Sequence, residues 1–315
     1  MLPYLDEERI RSLLRVEELL PVMERALIGL ARGQVVQPAR QMLNAPAANS
    51  YFAAMPAAGT VGMGAKLVSI YPGNASLGLP THLALILLFR PETGEPLAVL
   101  DGRLITEMRT AAVSAVATRA LARPDARILA ILGSGVQAHS HVEALRLVRE
   151  FAEVRVWSRD PDHAARFAAE IGGRAMTAAD AVREADVVVT ATAATAPILA
   201  GAWLKAGTHV NAVGWSGPNG RELDDSAMRD SLVIADSREG VMRESGDVLL
   251  SGARIHAELG EILAGTATVP EGRTSVFESV GMAVEDVAAA ALVYERFVAT
   301  AANGMSPAHD SQAGR

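Results

Sequence analysis

Three features of the sequence predict an α/β protein built in two parts. Residues 35–100 are rich in short β patterns broken by turns. From residue 127 strands alternate with helices, and a glycine-rich turn at 133–135 joins the first of these strands to its helix. Strand–helix alternation of this kind implies a parallel sheet, whereas the block before it reads as antiparallel.

The elements follow in order. In residues 5–32, Leu13, Leu14, Leu19, Leu20, Met23, Ala26, Leu27 and Leu30 recur at helical spacing and predict one or two amphipathic helices. Strands are predicted at 35–43, 51–55, 64–71, 82–89 and 96–101, with turn signals at 72–74 (PGN) and 91–94 (PETG). An Ala-rich helix covers 106–121. Beyond it come strands at 127–132, 154–157, 186–192, 209–213 and 232–235, and helices at 137–151, 161–171 and 178–185. A final apolar helix spans 284–300, and residues 301–315 read as a disordered tail.

The segment ILAILGSGVQAHSH (128–141) places Gly133, Gly135 and Ala138 in a G-x-G-x-x-A pattern, directly after a strand and opening a helix. Gly133 permits the tight turn, Gly135 lets the backbone approach a pyrophosphate, and Ala138 lets the helix pack closely on the strand. The helix N-terminus adds free N–H groups and a positive dipole end. With a second strand about twenty residues on, this is the context of a Rossmann-type dinucleotide site, with Gly133, Ser134, Gly135, Val136 and Gln137 as its phosphate-binding turn. The second strand ends in Trp157-Ser158-Arg159 without the acid that usually takes the ribose 2′-hydroxyl of NAD. Ser158 and Arg159 suit a 2′-phosphate instead, so NADPH is the expected cofactor. Asp160 keeps NADH open, since a small shift would bring it to the ribose.

Composition excludes several classes. The chain is 50% hydrophobic and 21% charged, hence globular, and its net charge of -7 with scattered arginines gives no nucleic-acid footprint. It has no cysteine, which removes disulfides, zinc–thiolate sites and cysteine nucleophiles and is compatible with the cytoplasm. The start, MLPYLDEERIRSLL, has no apolar signal core. The apolar runs at 83–89, 128–132 and 187–189 fall far short of the roughly 20 residues of a membrane span. A cytoplasmic location without membrane contact is therefore expected. No metal site is expected, because H-E-x-x-H is absent and His139 and His141 stand two apart. No serine-hydrolase elbow is expected either, since G-x-S-x-G is absent.

The segments VVQPAR (35–40), AKLVSIYP (65–72), LPTHLALILLF (79–89), AVLDG (98–102), ITEMRTAAVSAVAT (105–118), LGSGVQAHSH (132–141), HVNAVG (209–214), RELDD (221–225), ESGDVLLSGA (244–253) and SVGMAVED (279–286) occur in an order that resembles the ornithine cyclodeaminase/mu-crystallin family. Within that family the chain is most similar to the ketimine-reducing branch. The resemblance spans nearly the whole chain. It implies a Rossmann NAD(P)-binding domain at 111–286 beside an α+β substrate-binding and dimerisation domain at 1–110 with 287–315, and a homodimer formed through the sheet of the latter. The implied reaction is reduction of a cyclic imine of a 2-keto acid, such as piperideine-2-carboxylate or pyrroline-2-carboxylate, to pipecolate or proline.

Such a reaction needs a cation for the carboxylate, a proton for the nitrogen and a hydride at the carbon. Arg40 and Arg109 match the family's carboxylate-binding arginines, and a guanidinium meets a carboxylate through paired hydrogen bonds. Lys66, heading an apolar strand, matches the catalytic lysine and is assigned the proton; lysine is rarely buried without a partner. Its other reading is a strand-end lysine whose head reaches solvent. His82 matches a position beside nicotinamide and substrate, although a lone histidine on an apolar strand is more often a core residue. The resemblance also brings Thr81, His82, Arg109, Thr192, Ala193, Val213 and Ser216 to the cofactor, and Ser216, Glu244 and Ser279 to the substrate.

One position departs from the cyclodeaminating members and the related alanine dehydrogenases. These carry an aspartate two residues after the glycine of the N-A-x-G strand, where this chain has Ser216. A serine hydroxyl does not hold a proton at neutral pH as a carboxylate does, so cyclodeamination is disfavoured and reduction survives. Asp224 and Asp225, the nearby acids, read as a helix cap with Ser226. Trp215 has two readings, packing or shaping of the substrate pocket. Three functional readings follow: the imine reductase, an ornithine cyclodeaminase or alanine dehydrogenase, and a non-catalytic protein that holds NADPH and a thyroid-hormone-like ligand.

Overall fold

The computed structural model of the chain describes residues 2–47, 49–214 and 217–302. Its strands build two sheets. The first contains β1 (Tyr4–Leu5), β2 (Val35–Val36), β3 (Gln41–Asn44), β4 (Tyr51–Gly59), β5 (Gly62–Ile70), β6 (His82–Phe89) and β7 (Pro96–Asp101). The order is β1-β7-β6-β5-β4-β2, with β3 also on β4. From β4 to β7 it is an antiparallel meander, as expected, while β1 adds an unforeseen parallel edge to β7.

The second sheet contains β8 (Ile128–Leu132), β9 (Glu153–Trp157), β10 (Arg174–Ala175), β11 (Val187–Thr190), β12 (His209–Ala212), β13 (Leu232–Ala235), β14 (Ile255–Glu258) and β15 (Ser275–Glu278). All its pairings are parallel, in the order β10-β9-β8-β11-β12-β15-β13-β14. The order reverses beside β8, which places the glycine-rich turn at the switch point where such sheets bind ligands. The fold is therefore α/β, as the alternation predicts. β14 and β15 escape the sequence reading because both are four residues long and carry polar ends.

The predicted strand at 35–43 is two strands. Pro38 interrupts the ladder because it lacks an N–H. The break turns Gln37 and Arg40 toward the rest of the molecule, where Gln37 Oε1 accepts from Val284 N at 3.0 Å. Lys66 does not head its strand. It sits mid-way along β5, opposite Met55 and Ile86, on the inward face shared with Gly64 and Val68. The predicted helix at 137–151 stops at Arg146, and that at 106–121 begins earlier, at Arg103. Of the predicted tail, Ala301 and Ala302 belong to the last helix and 303–315 lie outside the described residues.

Two helices join the sheets. The helix Arg103–Leu121 is buried along most of its length. Buried polar groups pin it to the parallel sheet, where Asn211 Nδ2 donates to Thr118 Oγ1 at 2.9 Å, and to the helix Val136–Arg146, where His141 Nε2 lies 2.9 Å from Ser114 Oγ. The last helix, Ala283–Ala302, lies on the inner face of β4, β5 and β6. Glycine permits its close approach. A Cβ on Gly62, whose φ is +134°, would stand 3.1 Å from Val287. Among the described residues the outer face of the first sheet has no such cover, and Phe52, Leu83 and Leu85 are exposed. Among the described residues no helix is long and apolar enough to cross a membrane.

Candidate active site

Burying a lysine or arginine demands a partner, and the last helix supplies it. Glu285 and Asp286 stand in its first turn, where the helix dipole favours negative charge. Lys66 Nζ lies 2.6 Å from Asp286 Oδ2 and donates a longer bond to Thr106 Oγ1. Arg109 Nε donates to Asp286 Oδ1 at 2.9 Å and its Nη1 to Glu285 Oε2 at 2.6 Å. Asp286 thus bridges Lys66 on the first sheet and Arg109 on the joining helix. All four groups are buried, Lys66 to 2% exposure.

Burial sets the protonation of this cluster. It lowers the Lys66 ammonium to about 8, with Asp286 opposing the shift. Burial likewise raises Glu285 to about 7, against the pull of Arg109. Asp286 runs the other way: burial raises it, but Arg109 and Lys66 together hold it below the ordinary aspartate range. His82, half-buried at the start of β6, is lowered to about 4 by burial and by Lys66, so it is neutral at physiological pH.

Arg40 completes the cationic side. Its Nε pairs with Glu244 Oε1 at 2.9 Å, and its Nη2 donates to the carbonyls of Val280 and Gly281 at 2.6 and 2.8 Å. The same turn is held by Asp236, whose Oδ2 accepts from Gly281 N at 2.7 Å and Ser279 Oγ at 3.2 Å. Gly281 cannot be replaced without displacing Arg109, since a Cβ there would stand 2.7 Å from its Nη2. Arg40, Glu244 and Ser279 thus meet at one hydrogen-bonded turn, Lys66 and Arg109 meet at Asp286, and the segment 279–286 carries both. Their counter-ions Glu285, Asp286 and Asp236 were not predicted. The signal was present in SVGMAVED, where paired acids open an otherwise apolar helix.

The glycine-rich turn fits a dinucleotide. Gly133 has φ +136° and a Cβ would strike the Ala191 carbonyl at 2.5 Å, whereas Gly135 faces open space. The helix Val136–Arg146 has no side-chain cap, which leaves its first N–H groups to a phosphate. Ser134 Oγ donates to Ser158 Oγ at 2.9 Å, Arg159 is exposed and has no ion pair among the described residues, and Val136 is exposed. Asp160, considered for the ribose, caps the helix Pro161–Ile171 by accepting from Asp162 N and His163 N. Thr81, Ala193 and Val213 lie on strand-end loops. Thr192 N donates to the buried Glu222, a further residue that the sequence reading missed. Asp224 caps the helix Asp225–Arg229, as expected, and Asp225 pairs with Arg221. Ser216 and Trp215 lie outside the described residues.

A phosphate-binding turn at the carboxyl edge of a parallel sheet, with a buried ammonium on the neighbouring sheet and a buried guanidinium on the helix that joins the two, defines an NAD(P)-dependent oxidoreductase. The chain belongs to the ornithine cyclodeaminase/mu-crystallin family, whose model matches residues 4–301. The Mus musculus protein named ketimine reductase mu-crystallin is 46% identical over 301 residues, covering 93% of this chain and 96% of its own length. Thermococcus litoralis Delta(1)-pyrroline-2-carboxylate reductase, solved in complex with NADH and L-proline, is 37% identical with a TM-score of 0.90, covering 96% of this chain and 98% of its own. An archaeal alanine dehydrogenase dimer with bound NAD is 32% identical with a TM-score of 0.91, covering 95% and 97%.

Proposed function

We propose that the protein reduces the C=N bond of a cyclic 2-imino acid, such as piperideine-2-carboxylate or pyrroline-2-carboxylate, to the L-amino acid, with NADPH as the preferred reductant. The observation that carries this reading is the buried Lys66–Asp286–Arg109 cluster beside the dinucleotide edge. A bound NADPH supplies the hydride. Arg40 and Arg109 each keep one terminal nitrogen outside the network described above, and these nitrogens receive the substrate carboxylate. Lys66 gives its proton to the imine nitrogen as that atom becomes an amine, and Asp286 holds the ammonium in place. His82, neutral, lines the reacting face. Glu244 and Ser279 act through Arg40 and Asp236.

The test is the fall in NADPH absorbance with purified protein offered both imines, with NADH and L-ornithine in parallel. Imine-dependent oxidation is expected. Failure on both rings with both cofactors overturns the reading, and ammonia release from L-ornithine would move it to cyclodeamination. For cofactor choice, the uncommitted Arg159 guanidinium takes the 2′-phosphate together with Ser158. Arg159→Ala is expected to raise KM for NADPH by about tenfold, as the loss of one charge-assisted contact implies, and to leave KM for NADH unchanged. An equal rise for both cofactors would remove Arg159 from this role.

We further propose that residues 1–110 with 287–315 form the substrate-binding and dimerisation unit and 111–286 the dinucleotide unit. Hydrogen-exchange protection by NADPH concentrated in 111–286 checks the division. The partner subunit is a second copy of the chain, docked on the outer face of the first sheet. Register sets Ser69 between Phe52 and Leu83, and Leu67 beside Leu85, in a patch of the kind that marks an interface. A dimer mass by light scattering is expected, falling to a monomer mass in Leu83→Asp/Leu85→Asp; a wild-type monomer refutes the assignment.

A further inference from the structure

Glu222 is fully buried, and among the described residues one of its carboxylate oxygens, Oε2, accepts no hydrogen bond of normal geometry, with the Thr190 side chain beside the carboxyl. It stands beneath the carboxyl edge of the parallel sheet, outside the Lys66–Asp286–Arg109 cluster. Its Oε1 accepts from Thr192 N at 2.8 Å and from the Thr192 hydroxyl. Its carboxyl also fills the place where a side chain on Gly214 would go: a Cβ there would stand 2.2 Å from Oε2 and 2.4 Å from Cδ. Thr192 follows β11 and Gly214 follows β12, and β8, β11 and β12 are neighbours in the sheet.

This arrangement links three strand-end loops. Gly133, after β8, lies against the Ala191 carbonyl after β11. Glu222 then ties Thr192 on the β11 loop to Gly214 on the β12 loop. The backbone that carries it is itself held firmly: Glu222 N donates to Asp247 Oδ1 at 3.0 Å, and its carbonyl accepts from Ile198 N at 2.7 Å and Leu199 N at 3.0 Å. Ligands of doubly wound sheets bind across such loops. A buried carboxyl here costs stability, so its retention under these loops calls for a positional role.

We propose that Glu222 is a positioning residue for the dinucleotide, its carboxyl fixing the loops of Thr192 and Gly214 that form the floor of the nicotinamide half. The proposal rests on the dinucleotide reading given above. It touches the cofactor through these loops and not directly, so binding and geometry should suffer before folding does.

The experiment measures NADPH affinity by fluorescence titration, together with melting temperature and kcat, for wild type, Glu222→Gln, Glu222→Ala and Gly214→Ala. Glu222→Ala is expected to weaken NADPH binding by about tenfold or more. The amide of Glu222→Gln, able to accept from Thr192, is expected to restore it to within about threefold. The φ of Gly214 is not in the left-handed range, and the three atoms nearest a Cβ there all belong to the carboxyl. Gly214→Ala should therefore weaken binding in wild type and add nothing in the Glu222→Ala background. A folded Glu222→Ala variant with unchanged affinity and a lowered melting temperature makes Glu222 a stability element and overturns the proposal. Additive losses in the double variant do the same, and if Glu222→Ala does not fold, Glu222→Gln and Gly214→Ala carry the test. Wild type that binds neither NADPH nor NADH overturns the underlying dinucleotide reading as well.

Discussion

Replacing Lys66 with methionine is expected to lower kcat for imine reduction by about 10²- to 10⁴-fold, the usual range for a positioned proton donor, with NADPH affinity retained. Methionine keeps the volume of the side chain and removes only its charge and proton, and Asp286 remains paired with Arg109. The wild-type pH profile follows from the same residue. Burial lowers the ammonium to about 8, and only the protonated form donates. The donor is therefore intact below that pH and lost above it, so kcat/KM should be level below pH 8 and fall about tenfold per pH unit beyond it. The measurement is the rate against pH for both proteins, with added alkylamine tested for partial rescue of Lys66→Ala. A variant that keeps its rate, or an alkaline limb that survives in Lys66→Met, would show that the proton comes from elsewhere.

The second large effect is expected at Asp286. This carboxylate is buried and shared between Lys66 and Arg109, at 2.6 and 2.9 Å. Asp286→Asn leaves both cations without their common anion, and removing one partner of a buried pair typically costs about 3–5 kcal/mol. The substitution also removes the charge that opposes desolvation of Lys66, so the amine pKa should drop further. The alkaline limb moves to lower pH, and at neutral pH less of the enzyme carries the proton. We expect a lowered urea midpoint together with a loss of kcat/KM of at least about 10²-fold. An unshifted limb in a folded Asp286→Asn protein would falsify the bridging role. Asp286→Glu, which keeps the charge and displaces it by one methylene, should retain more stability than the asparagine variant.

Much of this architecture was legible along the chain. Gly133, Gly135 and Ala138 announce the dinucleotide turn because a sharp strand-to-helix turn and a close helix leave no room for larger side chains. The parallel sheet shows as runs of valine and isoleucine, which strands buried on both faces require. The short polar-ended strands β14 and β15 carry no such pattern and were missed. Lys66 stands out within an apolar segment, whereas Arg40 and Arg109 are marked by the family resemblance.

The counter-ions did not stand out in that way. Glu285 and Asp286 look like ordinary first-turn acids until the last helix is laid on β5, and Glu222 looks like part of a polar loop until Thr192 and Gly214 close over it. The α/β class and the dinucleotide turn can be read along the chain because they depend on local sterics. Which acid neutralises which base, the mid-strand burial of Lys66 and the capping by Asp160 emerge only from the fold. Charge pairing and desolvation act through space, between residues as far apart in the chain as Lys66 and Asp286, and no local pattern records them.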